Sequence, residues 1–278
     1  MIEATHARTA SRGAGPRIGF RGDRAIAIRV LQFLLNDGCV PACLVVADGI
    51  DGTHAEALHE CFHRAGGRTV FQGKELLEAA AISALKEMAL DFIILVHLQL
   101  KFLKEILDIP GKWVLNLHPA YLPDNRGWHT PSRAIFNQTR FGATLHFMRE
   151  GIEEGDIVHQ REIPVEASDT ADALYERALD LEFEVFREAW PGLLRDQYRR
   201  TRQPESAGLT HRKTDLAATG IQTVELEENL NAGELIRRLR ALTTKRVEEA
   251  CYFEQDNRRF RIQVSIVPVE DLTNTELN

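Results

Sequence analysis

Asn116 and His118 stand two residues apart at the end of the run Trp113-Val-Leu-Asn116-Leu-His118, and Pro119 follows at once. Residues two apart in a strand share a face, so the carboxamide and the imidazole point the same way. Pro119 has no N–H for a ladder and stops the strand directly after them. A histidine oriented by a carboxylate takes up a proton near neutral pH, and a carboxamide N–H beside it stabilises a developing oxyanion. The turn Gly155-Asp156, which opens the later strand Ile157–Ile163, offers the carboxylate. The same pair also reads as polar residues that end a strand by side-chain hydrogen bonding, and spacing alone does not separate the two readings.

Two other patterns carry less. His59-Glu60-Cys61-Phe62-His63 has the H-E-x-x-H form that places two zinc ligands one helical turn apart. The helix around it buries Leu58, Cys61, Phe62 and Ala65, which leaves both histidines on its flanks, and Thr69 stands where a longer zinc pattern needs a third histidine. No metal is expected. Gly13-x-Gly15-x-x-x-Gly19 has the wrong glycine spacing for a dinucleotide fingerprint and precedes the first strand instead of following it.

The elements that must position these residues alternate. Ile18–Phe20 reads as a strand, Asp23 as the cap of a helix with Ala27, Val30, Leu31, Leu34 and Leu35 on one stripe, and Cys39–Val46 as a strand buried on both faces. Helices at 54–65 and 76–90, strands at 69–71, 92–96 and 113–118, and a short helix at 102–107 continue the pattern. Strand–helix alternation over this length predicts an α/β fold with a mostly parallel, Rossmann-like sheet, whose carboxyl edge is where ligands bind. Residues 119–142 read as a long loop; strands follow at 143–148 and 157–163, then a helix at 171–196. The polar stretch 199–208 reads as a linker. A helix at 232–242 and a hairpin around Asp256-Asn257 give a small C-terminal α+β domain. The boundaries are a loose tail at 1–15, a catalytic domain at 16–198 and the C-terminal domain at 199–278.

With 44% hydrophobic and 27% charged residues, the 278-residue chain has enough apolar content for a core. A net charge of −7 argues against a protein that wraps nucleic acid. The sequence has no apolar run long enough for a membrane span, no secretory leader pattern, and too few cysteines, four, for a disulfide scaffold. The expectation is a soluble, cytoplasmic protein acting on neither membranes nor nucleic acid.

Taken together, Asn116-Leu-His118-Pro119-Ala-Tyr-Leu122-Pro123, Asn125-Arg126-Gly127-Trp128-His129-Thr130-Pro131, Gly142-Ala-Thr144-Leu-His146-Phe-Met148 and Gly155-Asp156-Ile157-Val158-x-Gln160 resemble the N10-formyltetrahydrofolate-dependent formyltransferases. The resemblance covers about residues 17–198, and the Arg-Gly-Trp-His loop is most similar to the nucleotide-sugar N-formyltransferases. It implies the formyltransferase fold and transfer of a formyl group from N10-formyltetrahydrofolate to a TDP- or GDP-linked amino-deoxysugar, such as TDP-4-amino-4,6-dideoxyglucose, destined for surface polysaccharide. It implies Asn116, His118 and Asp156 as the catalytic trio, with Asp156 orienting His118. The folate would be held by Leu98, Gln99 and Leu100 with Ile152 and Gly155 opposite. Arg126, Trp128, His129 and Thr130 would line the acceptor side, Arg126 pairing a pyrophosphate. A homodimer through the C-terminal domain is implied too.

The chain departs from the family pattern at Glu153, where aspartate is usual, and at Arg133, where tryptophan is common. The rival readings are methionyl-tRNA formyltransferase, glycinamide ribonucleotide transformylase, a formyltetrahydrofolate hydrolase and a binding protein without turnover. Against the first, residues 199–278 hold 13 Lys/Arg and 13 Asp/Glu, without the basic excess a tRNA backbone calls for.

Overall fold

Seven strands form one sheet in the order β3-β2-β1-β4-β5-β7-β8 in a computed structural model that describes residues 15–47, 54–97, 104–204 and 208–269. β1 (Ile18–Gly22), β2 (Cys43–Val46), β3 (Thr69–Gln72), β4 (Phe92–Val96) and β5 (Trp113–His118) are parallel. β7 (Phe141–Phe147) and β8 (Ile157–Ile163) complete the sheet antiparallel. Strand order reverses between β1 and β4, the switch point at whose carboxyl edge such sheets open a crevice.

The strands are apolar on both sides because both faces are covered. Helix α1 (Arg24–Asn36) starts where Asp23 Oδ1 accepts from the Arg24 N–H at 2.8 Å. It packs Ile26, Val30, Leu31 and Leu34 with Leu58 and Phe62 of α2 (Ala55–Arg64) and with Val185, Phe186, Trp190 and Leu193 of α6 (Ala171–Leu194). The other face takes Ile82 and Leu85 of α3 (Ala79–Glu87) and Ile106 of α4 (Lys104–Leu107) against Cys43, Val45, Ile93 and Val114. Each of the largest of these side chains contributes about 2–3 kcal/mol by leaving water.

Several boundaries differ from the sequence reading. β2 begins only at Cys43, because Pro41 lacks an N–H and the Cys39 N–H turns back to Leu34 O at 2.8 Å. The helix expected at 76–90 is two pieces: a 3-10 turn at Gly73–Leu77, then α3, separated by Glu78 in extended conformation. Part of the expected long loop is helix α5 (Thr130–Asn137), and Pro131, read as a loop residue, sits in its first turn, where its missing N–H has no helical acceptor to lose. Residues 1–14, the bulk of the expected tail, lie outside the described residues, as do Leu98, Gln99 and Leu100.

Beyond α6 the chain is tied back rather than slack. Thr201 and Ile157 exchange two main-chain hydrogen bonds, of 2.8 and 2.9 Å, and Gln203 is buried. Helices α7 (Asp215–Ala218) and α8 (Ala232–Ala241) precede the hairpin β10 (Cys251–Gln255) and β11 (Arg258–Ile262). Its turn is Asp256-Asn257 with φ of 50° and 59°, the left-handed pair a two-residue hairpin needs. Leu216, Leu242 and Cys251 form a small core of their own, and Ala241 packs with Ala134, Ile135 and Leu174 of the catalytic part. A second joint is a two-strand parallel ladder between β6 (Arg126–Gly127) and β9 (Thr210–His211). Gly127 has φ 89°, and a Cβ there would lie 2.1 Å from His211 O, so only glycine fits.

Candidate active site

At the carboxyl edge of the sheet a cavity of about 430 Å³ is lined by Asn116 and His118, by Trp128, His129 and Thr130, by residues 148–153, and by His211–Lys213 and Thr244–Arg246 of the C-terminal domain. Asn116 and His118 emerge side by side at the end of β5, 3% and 6% exposed.

β7 supplies the support. His146 stands directly opposite Asn116 in the ladder, and Thr144 opposite His118. The His146 Nδ1–H donates to Phe147 O at 2.9 Å, which leaves Nε2 as an acceptor; the Asn116 amide N–H donates to it across 3.3 Å. That bond fixes the amide so that its second N–H is available and Oδ1 has no partner. Burial first, then the charge of Arg126, hold the His146 pKa down at about 4, with the Phe147 bond opposing. His146 is therefore neutral at pH 7. Sequence reasoning missed its role, although two polar residues in alternate positions of an otherwise apolar, fully buried strand were a usable signal.

The carboxylate beside His118 is Glu153, not Asp156. Glu153 Oε2 lies 3.1 Å from His118 Nε2 without the alignment of a hydrogen bond, and it accepts the Gly127 N–H at 2.5 Å. Its backbone has φ 56°, held there because Gln203 Nε2 donates to both Glu153 O and Gly155 O at 2.8 and 2.7 Å. Asp156 faces elsewhere: Oδ1 bonds Arg149 at 3.2 Å and Oδ2 bonds Arg200 at 2.9 Å. It clasps two arginines and does not orient the imidazole.

Burial dominates both members of the His118–Glu153 pair. It pushes the Glu153 carboxyl up to about 8, against the Gly127 bond and the Arg126 charge, which pull it down. It holds His118 well below the usual histidine range, helped by His146 and His97 and opposed by a hydrogen bond to the Asn125 main chain. At neutral pH the ring is a free base.

The remaining expected residues divide. Trp128, His129, Thr130 and Ile152 line the cavity. Arg126 does not: it is 5% exposed, donates to Gln203 Oε1 at 2.8 Å, and its charge acts on Glu153 and His146 instead. Gly155 is also off the lining; its Cα packs against Phe147 O, where a Cβ would be 1.7 Å away. His97 lines the cavity with its Nε2 held by the buried Glu182 carboxylate at 2.8 Å and its Nδ1 3.2 Å from the Tyr175 hydroxyl. His59 and His63 are exposed on α2, their rings 5.7 Å apart, and no group of three or more such ligands occurs among the described residues.

His146 gives a pH prediction. Its folded pKa is below the unfolded 6.5, so the unfolded chain binds more protons between pH 6.5 and about 4. Stability present above pH 6.5 is lost across that window, on the order of 3 kcal/mol from this residue. Melting temperature should fall with pH there, and His146→Leu should make the slope shallower while lowering kcat through the freed Asn116 amide. An unchanged slope would count against the neutral buried ring.

Residues 47–190 match the family described as formyl transferase, and residues 208–268 match the N-formyltransferase dimerization C-terminal domain. The dTDP-4-amino-4,6-dideoxyglucose formyltransferase of Mycobacterium tuberculosis is 28% identical over 178 residues, 64% of this chain and 74% of that protein. Methionyl-tRNA formyltransferase of Clostridium tetani is 35% identical over 194 residues, 68% of this chain and 63% of that protein. A 4-N formyltransferase from Francisella tularensis superposes with a TM-score of 0.75 at 19% identity, covering 91% of this chain and 99% of that one. An N-formyltransferase from Helicobacter canadensis, solved with folinic acid and dTDP-3-aminofucose, superposes with a TM-score of 0.63 at 19% identity, over 87% and 85% of the two chains. By the match over residues 47–190 and the 35% identity to the Clostridium tetani relative, the chain belongs to the formyl transferase family.

Proposed function

We propose that the protein transfers the formyl group of N10-formyltetrahydrofolate to the amino group of a nucleotide-linked amino-deoxysugar. The observation that carries the acceptor class is the C-terminal domain. It is of the N-formyltransferase type, it contributes a wall of the catalytic cavity, and it lacks the basic excess expected of a tRNA-binding partner. The pairing of a sugar nucleotide with a folate in the Helicobacter canadensis neighbour supports the same choice.

The residues divide the work as follows. Asn116, anchored by His146, directs its second N–H at the carbonyl oxygen as charge develops there. His118, a free base with an unaligned Nε2, takes the proton that the amine must lose on attack. Glu153, 3.1 Å away, stabilises the imidazolium in its ionised, carboxylate form. The proton then passes to the departing N10, so His118 is neutral again after each turnover. Ile152, 47% exposed on the cavity lip, offers an apolar face to the folate ring.

The test is mass spectrometry of a panel of TDP-, UDP- and GDP-linked amino-deoxysugars incubated with the protein, with and without N10-formyltetrahydrofolate. One member should gain a formyl group only when the folate is present. Folate deformylated with no sugar modified would replace this reading with a hydrolase, and formylation of methionyl-tRNA alone would replace it with the tRNA enzyme.

A further inference from the structure

On the C-terminal side of the cavity, at the seam between the two domains, basic side chains outnumber acidic ones. Four basic residues of the C-terminal domain line the cavity: Arg212, Lys213, Lys245 and Arg246. Lys245 is paired with Glu176, and Arg246 lies 3.5 Å from Glu249. The Arg212 main-chain N–H donates to Asp215 Oδ2 at 2.7 Å, but neither its guanidinium nor the Lys213 ammonium is ion-paired with a carboxylate among the described residues; the ammonium rests 5.2 Å from the centre of the Trp128 ring.

Behind these two cations lies an unsatisfied buried cluster. His211 lines the cavity at 8% exposure, and its Nε2 has no hydrogen-bond partner. Arg133 of α5 is 5% exposed, and its Nε and Nη2 also have none. Burial first, and the Arg133 charge after it, depress His211; burial also depresses Arg133, and Asp215 is the carboxylate that opposes both effects. A buried guanidinium with bare nitrogens is costly, and partnerless buried donors are rare enough to require a reason. Arg133 also stands at a position where tryptophan is common in the resembling family, so the charge is a property of this chain.

We propose that the diphosphate of the acceptor binds at this seam: Arg212 and Lys213 close on its oxygens, His211 Nε2–H donates to it, and Arg133 is the buried counter-charge behind. This inference rests on the nucleotide-linked acceptor proposed above. The placement suits such a molecule. Gly127 pairs with His211 in the β6–β9 ladder and donates its own N–H to Glu153, which touches His118. The seam is thus one hydrogen-bonded step beyond the reacting centre, and the sugar ring would occupy that step. The C-terminal domain then selects the acceptor as well as supporting the fold.

The experiment uses the full chain. Inorganic pyrophosphate and TDP are titrated calorimetrically into wild type and Arg212→Gln/Lys213→Gln, and KM is measured for both substrates. Both probes should bind wild type and lose at least tenfold in affinity in the double variant. KM for the sugar nucleotide should rise by a similar factor while KM for N10-formyltetrahydrofolate stays within about twofold. Arg133→Met should melt no lower than wild type without ligand, yet lose most of the rise in Tm that pyrophosphate gives wild type. Pyrophosphate that fails to bind wild type, an acceptor KM unmoved by the double variant, or a change confined to the folate KM would overturn the site. Pyrophosphate bound and lost as expected, with no sugar formylated, would leave the anion site standing and remove the acceptor reading instead.

Discussion

His118→Ala and Asn116→Ala should each lower kcat by about 10²–10⁴-fold, the range for removing a positioned base or an oxyanion donor, while the sheet survives. His118 is the last residue of β5, its main-chain place opposite Thr144 does not depend on the ring, and the ring contributes no hydrophobic layer to either main core cluster. The loss should appear in kcat more than in KM, because both groups act on charge that exists only in the transition state. The double variant should be little worse than His118→Ala, since the two residues serve one proton-transfer and addition event. Stopped-flow single-turnover rates, with circular dichroism to verify the fold, decide the matter. Near-wild-type rates in either single variant would remove that residue from the mechanism.

A second large effect separates two carboxylates. Glu153→Gln should cost about 10²-fold in kcat, because the amide cannot stabilise the imidazolium by ionising. Asp156→Asn should leave kcat within a few-fold and lower the melting temperature instead, since Arg149 and Arg200 both lose an ionised partner. Glu153→Asp withdraws the carboxyl by one methylene from a contact now 3.1 Å long, and should fall between wild type and Glu153→Gln. With the Glu153 carboxyl pushed up to about 8, the pH–rate profile should break near that value in wild type and lose the break in Glu153→Gln. Reversed effects, with Asp156→Asn inactive and Glu153→Gln active, would return the role to Asp156.

These two carboxylates also mark where sequence stops being informative. Asn116 and His118 were legible because a strand's alternation is local, and Pro119 marked its end. Asp156 reads as the carboxylate for the same local reason, since it opens β8. What decides against it is not local: Gln203 holds the loop at Glu153 and Gly155, and Gly127 gives Glu153 its N–H. Arg126 misled similarly, because its partner Gln203 lies on a stretch that reads as a linker. The order of strands and helices up to β5 was legible from unbroken apolar runs bounded by turn residues. Helix α5 was not, since a proline in a first turn and a proline in a loop look alike until the turn is seen.

Gln203 has a consequence for how this enzyme comes into being. Its carboxamide meets the catalytic loop only after the ribosome has made the whole sheet and all of α6, and His211 pairs with Gly127 later still. A nascent chain released before that stretch could complete its sheet and yet leave residues 150–156 unset, so competence would arrive with the connector and not with the domain. For anyone recombining modules, the unit to transplant is accordingly the catalytic half together with Thr201–Gln203 and Thr210–His211; a cut made at the apparent linker would divide the active site.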